Sequence, residues 1–132
     1  MLISRYNAKD TSVVVNDVYI TGLGEDMILV EKEEDLASNK VGAQGDIVRS
    51  EINNTIYTIT VTVQSTSPQL GYLLNLKDST DFFPLWVINK SLGVRAGGAK
   101  AMVSSIPEIS LGAEAEDIEV AFTVYDGDVI AS

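Results

Sequence analysis

The chain contains no cysteine and no histidine. Those two absences exclude disulfide staples, thiolate nucleophiles, Ser-His-Asp triads and nearly all zinc chemistry. Carboxylates, lysines, tyrosines and hydroxyls are the chemical groups left. Positive charge is scarce as well: 9 Lys and Arg stand against 19 Asp and Glu, for a formal net charge of −10. From residue 101 to residue 132 there is no Lys or Arg at all, while Glu108, Glu114, Glu116, Asp117, Glu119, Asp126 and Asp128 all occur. A surface of that sign repels a nucleic acid backbone, which argues against a DNA-binding module. Aromatic residues make up only 7%, with Trp86 the single tryptophan, which weakens any sugar-binding platform. No apolar run approaches the roughly 18 residues of a membrane helix, so no membrane insertion is expected. The opening "MLISRYNAKD" has neither the basic start nor the apolar stretch of a secretory signal, which points to a cytoplasm or to release by lysis.

What is present is an ordinary globular balance. The 132 residues, 45% hydrophobic and 21% charged, suit one domain over residues 1–132 with a single core. The clearest pattern lies in "NNTIYTITVTVQSTSPQLGYLLNLKD", residues 53–78. Thr58, Thr60, Thr62 and Gln64 alternate with Tyr57, Ile59, Val61 and Val63, the two-residue period of a half-buried strand with a wet, uncharged face. Asn53-Asn54 suits a two-residue hairpin turn pairing that strand with "DIVRSEI", residues 46–52. Ser67 suits an N-cap and Pro68 the first helical position, and Leu70, Leu73 and Leu74 follow at helical spacing. A helix over about residues 68–78 is therefore predicted, with Gly71 reserved for close packing.

Other segments read as strands. "SVVVNDVYI" (12–20) is one, residues 27–31 a short one, and "FFPLWVINKS" (82–91) one placed at an edge or bulge by Pro84. Gly97-Gly98 marks a turn into another strand, and Ile118, Val120, Phe122 and Val124 alternate along a last one. Residues 36–45, "LASNKVGAQG", read as a long flexible loop. Seven or eight strands and one helix predict a mainly β protein, an antiparallel β-sandwich or barrel with one flanking α-helix.

No motif carries a reaction. "GLGED" (22–26) lacks the third glycine of a nucleotide loop and reads as a strand-ending turn. "YDGD" (125–128) lacks most ligands of a calcium loop, and Glu114 and Glu116 are not set apart from the many other acids. No catalytic residue, cofactor or metal is expected. "EKEED" (31–35) is different, because it ends a strand and opens the long loop, a place where partners bind as often as water does.

Two stretches, "GDIVRSEINNTIYTITVTVQSTSPQLGYLLNL" and "IPEISLGAEAEDIEVAFTVYDGDV", taken in this order, resemble the tail tube subunits of long-tailed bacteriophages, above all the small subunits of contractile-tailed types. The resemblance spans about residues 10–128. It implies a structural virion protein, a β-sandwich with one helix, that forms hexameric rings stacked into a hollow tube with an electronegative lumen. DNA passes through during ejection without specific binding. The implied partners are the protein itself, the tail sheath, the baseplate and the tape-measure protein, and the implied location is the phage tail, with assembly in the host cytoplasm. Carried over, the loop of residues 33–44 becomes the arm between rings or subunits, with Glu33, Glu34, Asp35, Leu36, Asn39, Lys40 and Val41 as contact candidates. Deleting residues 34–44 is expected to abolish tube growth while leaving the monomer folded. Strands 46–52 and 55–64 become part of the channel-lining sheet, with Thr58, Thr60, Thr62 and Gln64 facing the lumen. Alternatives are another tube-like virion part, a tail terminator or baseplate hub component, and a soluble carbohydrate- or calcium-binding β-sandwich.

Overall fold

In the computed structural model, which describes residues 1–105 and 108–131, ten strands and one short helix build the chain. Ile106, Pro107 and Ser132 lie outside the described residues, and with them the first two residues of the acidic C-terminal stretch. The strands are β1 (Thr11–Val15), β2 (Val18–Tyr19), β3 (Leu23–Lys32), β4 (Ala37–Val41), β5 (Ile47–Glu51), β6 (Tyr57–Gln64), β7 (Phe83–Asn89), β8 (Val94–Val103), β9 (Asp117–Val124) and β10 (Asp128–Ala131). Helix α1 (Leu70–Asn75) runs into a 3-10 turn, Leu76–Asp78. No helix among the described residues is long and apolar enough to cross a membrane.

Eight strands form one antiparallel sheet in the order β2-β1-β7-β8-β9-β6-β3, with β10 also on β8. The sheet divides at β8, whose first half pairs with β10 and whose last residues, Ala101–Val103, pair with β9. One leaf, β2-β1-β7-β8-β10, and the other, β8-β9-β6-β3, bury their inner faces in a common core. Val13, Val15, Leu85 and Val87 come from the first leaf, and Ile59, Val61, Val63, Val120 and Phe122 from the second. Phe83 and Phe122 meet edge to face across it, with ring centroids 6.0 Å apart. Leu73 of α1 is fully buried against the same cluster. The alternation in β6 and β9 thus becomes a buried inner face, as expected for a sheet wet on one side only.

Several expectations change. Residues 12–20 are a hairpin rather than one strand, because Asn16 and Asp17 take positive φ values of 50° and 65° and reverse the chain in two residues. Pro84 does mark an irregularity, a register shift between Phe83 and Leu85, but β7 is interior, between β1 and β8. The Pro84 carbonyl accepts from the Asn16 N–H (2.7 Å), which ties the β1–β2 turn to this irregularity. The 36–45 segment is no loop: Ala37–Val41 pairs with Ile47–Glu51 in a separate two-stranded sheet. Asn53-Asn54 is accordingly not the turn of a β5–β6 hairpin. It joins the separate hairpin to β6, and Asn54 Oδ1 accepts from the Ile56 N–H (2.9 Å). Helix α1 begins later than Pro68. Ser67, which is buried, donates to the Thr21 carbonyl (2.6 Å) and ties the helix entry to the β2–β3 connection.

The two glycines singled out in the sequence exchange roles. Gly97-Gly98 makes no turn; both lie inside β8, and a Cβ on Gly97 would overlap the Leu85 carbonyl oxygen in β7. Gly97 also has φ +132°, outside the range that L side chains favour. Gly71, expected to serve close packing, has nothing within 4 Å of where a Cβ would be. Gly97→Ala is expected to destabilise the fold by roughly 3 kcal/mol through overlap and backbone strain, whereas Gly71→Ala is expected to stabilise it by about 1 kcal/mol. Denaturant unfolding of the two variants checks both signs.

Candidate functional site

Each leaf has one outer face, and the two differ in chemistry. On the second leaf, the strand register sets side chains in rows across β3, β6 and β9, since directly opposed residues point to the same side. Thr58 stands between Glu31 and Thr123, and Thr60 between Leu29 and Ala121. Thr62 is opposite Glu119, and Gln64 opposite Asp117. The four residues singled out in the sequence therefore share one face. Gln64 is exposed and Thr58 and Thr60 are half-buried. Thr62, expected to be wet, is 6% exposed. The cause is a bulge in β3, where the register shifts between Leu23 and Ile28 and the extra residues fold over Thr62. Asp117 holds that bulge in place by accepting from the Glu25 N–H (3.3 Å).

This face is hydroxylated but not neutral. A shallow cleft is lined by Thr60, Ala121, Asp117, Glu119, Glu116, Glu108 and two serines, and a second by Thr60, Thr62, Glu119 and Asp26. Sequence reasoning did not single out these particular acids as companions of the threonines. The signal was present, because Asp117 and Glu119 alternate with Ile118 and Val120, but placing them beside Thr62 and Gln64 requires the β6–β9 register. Lys32, next to Glu31 in β3, points to the opposite side, where it donates to the Asn54 carbonyl and lies over the Tyr57 ring. Among the described residues no group of three or more carboxylates gathers closely enough to hold a metal ion.

The second candidate surface is the β4–β5 hairpin. Glu33, Glu34, Asp35, Leu36, Asn39, Lys40 and Val41 are all exposed, as expected of an arm. The structure adds β5 to it: residues 46–52, expected in the channel-lining sheet, belong to the hairpin instead. Ile47 and Val48 are 68% and 61% exposed, and Leu36 and Val41 are equally bare. None of the hairpin's residues enters the core. Its base is closed by the Ile52 N–H donating to the Leu36 carbonyl (2.8 Å). An isolated two-stranded ribbon is marginally stable at best in water, and this one holds its apolar side chains bare.

Residues 10–105 match the family described as Bacteriophage PhiTE tail tube protein. No curated protein is similar to the chain in sequence. Among solved structures, the fold is similar to that of the anti-feeding prophage tube-terminating cap, at 8% identity, covering 100% of this chain and 95% of that one with a TM-score of 0.63. It is also similar to a chain of the sheath–tube complex of the extracellular contractile injection system PVC, at 11% identity, covering 97% and 93% with a TM-score of 0.65. A chain of the sheath/tube terminator of the same system matches at 11% identity over 99% and 100%, with a TM-score of 0.59.

Proposed function

The chain belongs to the Bacteriophage PhiTE tail tube protein family and is a structural tail-tube component, and we propose that it polymerises as stacked hexameric rings into a hollow tube with the threonine face of the second leaf turned to the bore. The observation that carries this reading is the composition of that face. Across β3, β6 and β9 it offers short hydroxyls interspersed with carboxylates, with Leu29 and Ala121 flanking Thr60 as its apolar members, in a sheet whose other side is the core. Such a wall stays hydrated, offers DNA phosphates no clamp, and opposes their approach over the roughly 8 Å that physiological salt leaves unscreened. DNA would pass during ejection without being held.

Ring closure needs a heterologous contact, and β3 supplies an edge for it, since its far side has no strand neighbour among the described residues. The β4–β5 hairpin reaches the adjoining subunit or ring, where its apolar side chains are covered. A surrounding sheath is part of the proposal, by analogy with the sheath–tube complex in which a similar fold occurs, as are baseplate and tape-measure contacts in the phage tail.

The likeness to a tube-terminating cap and to a terminator supports a second reading, a single ring that closes the tube. Negative-stain electron microscopy of the purified protein from dilute to concentrated solution separates the two. The tube reading expects hollow particles of uniform width and growing length. Isolated rings that never lengthen transfer the chain to the terminator role, and monomers that no nucleating baseplate converts to tubes overturn both.

A further inference from the structure

The outer face of the first leaf carries a different chemistry. Its rows place Ser12, Ile88, Arg95 and Ile130 side by side, and next to them Tyr19, Val14, Trp86, Gly97 and, at the edge, the exposed Asp128. The Arg95 guanidinium lies over the Trp86 ring, 3.9 Å from its centroid. Its Nε is buried with no hydrogen-bond partner, and among the described residues no carboxylate forms an ion pair with it. In a chain of net charge −10 this is a conspicuous arrangement: a cation stacked on the single tryptophan among largely apolar neighbours, its buried Nε without a partner. Tryptophan, tyrosine and arginine together are the composition of binding hot spots.

The chain also has an unattached segment of matching character. Residues 1–6 form no helix or strand, and Leu2, Ile3 and Tyr6 are 91%, 76% and 64% exposed. The chain is first tied down at Asn7, whose N–H donates to Ser91 Oγ (3.3 Å) at the end of the first leaf. Seven extended residues reach roughly 23 Å. Crossing from β2 to β8 takes three strand spacings, roughly 14 Å. The arm leaves its own sandwich with its apolar side chains uncovered, so it is free to lie elsewhere.

We propose that in the assembled ring the N-terminal arm of one subunit lies across the Trp86–Arg95 face of the next, its Leu2, Ile3 and Tyr6 side chains covering the apolar surround and its backbone carbonyls accepting from Arg95. The inference rests on the reading of the chain as a ring-forming subunit. It adds a second clasp between subunits on the side of the sandwich opposite the threonine face. Exchange of an identical segment between copies is a low-cost way of joining them, because the same contacts are made by every subunit.

A chain without cysteine allows a clean test. Ile3→Cys is combined with Tyr19→Cys in one variant and with Ile130→Cys in another, so that the new thiols flank both edges of the face. Each variant is oxidised as full-length protein at concentrations where particles are visible by microscopy, then run on a non-reducing gel. The expected result is a ladder of covalent multimers in at least one variant, because a disulfide forms only where Cα atoms come within about 7 Å. Deleting residues 2–6 is expected to raise the concentration at which particles appear and to shift Trp86 emission in them to the red. A fast-moving monomer with an internal disulfide would show the arm folding onto its own face and overturn the proposal. Particles with no covalent product in either variant would overturn it while leaving the tube reading intact. Absence of both particles and ladder even on a nucleating baseplate would remove the two together.

Discussion

Replacing residues 37–51 by an Asn-Gly turn leaves a monomer that folds and melts within about 3 °C of the parent, yet forms no tube at any concentration. The first half of that result follows from the packing. The β4–β5 hairpin pairs only with itself, contributes nothing to the core, and leaves and returns at Leu36 and Ile52, already joined by a backbone hydrogen bond. A two-residue turn can therefore close the gap. The second half follows from Val41, Ile47 and Val48, which spend their apolar surface on water in the single chain and need a neighbour's surface to cover them. Covering three such side chains contributes roughly 4.5 kcal/mol or more per contact, enough that its loss stops growth. The excision is drawn around the whole hairpin because deleting residues 34–44 alone would leave β5 without its partner, and misfolding would then mimic an assembly defect. Circular dichroism with electron microscopy checks the pair of outcomes. Normal tubes from the excised chain would remove the arm from the proposed assembly.

How legible each part was depends on what its pattern records. Strands β6 and β9 each have one buried and one wet face, so burial imprints a two-residue period on Tyr57–Gln64 and Asp117–Val124, and both were readable as residues. The hairpin has no buried face at all. Ala37–Val41 therefore carries no alternation, and its Ser, Asn and Lys read as loop although they form a ladder. Pairing was less legible still. Residues 46–52 and 55–64 are neighbours in sequence with a plausible turn between them, but the strands beside β6 are β3 and β9, the latter some 60 positions along the chain, and no local signal records that. The same non-local register is what brings Glu119 and Asp117 to the threonines. The threonine face was visible from β6 alone, whereas its charge was not. Helix α1 was found from its leucines, but its start lies past Ser67, whose hydroxyl accepts from the Gln69 N–H (3.4 Å) while donating to the Thr21 carbonyl, a tertiary tie that no local pattern records.

The charge of the threonine face has the second large consequence. The double substitution Thr60→Lys and Glu119→Lys puts cations on adjacent strands of that face, Thr60 half-buried and Glu119 exposed, without touching the core, so rings and tubes are expected to form as before. In a tube the substitutions repeat with every subunit along the bore, and a wall that repelled phosphates becomes one that releases counterions on contact with them. Tubes of the variant are expected to retain double-stranded DNA when pelleted, with an affinity that falls by roughly three orders of magnitude between about 50 and 200 mM salt, whereas parent tubes retain none. Retention alone does not say where the DNA lies, because a lysine-rich outer wall would hold it as well. Nuclease treatment decides: DNA inside the bore is shielded by the tube wall and survives, and DNA on the outside is digested. Protected DNA places Thr60 and Glu119 on the channel. Digested DNA moves that face to the exterior and turns the sandwich around in the ring, with the Trp86–Arg95 face then directed inward. A bore lined by an arginine stacked on tryptophan would grip a passing nucleic acid, so the wet acidic face is the one that physics favours for a conduit.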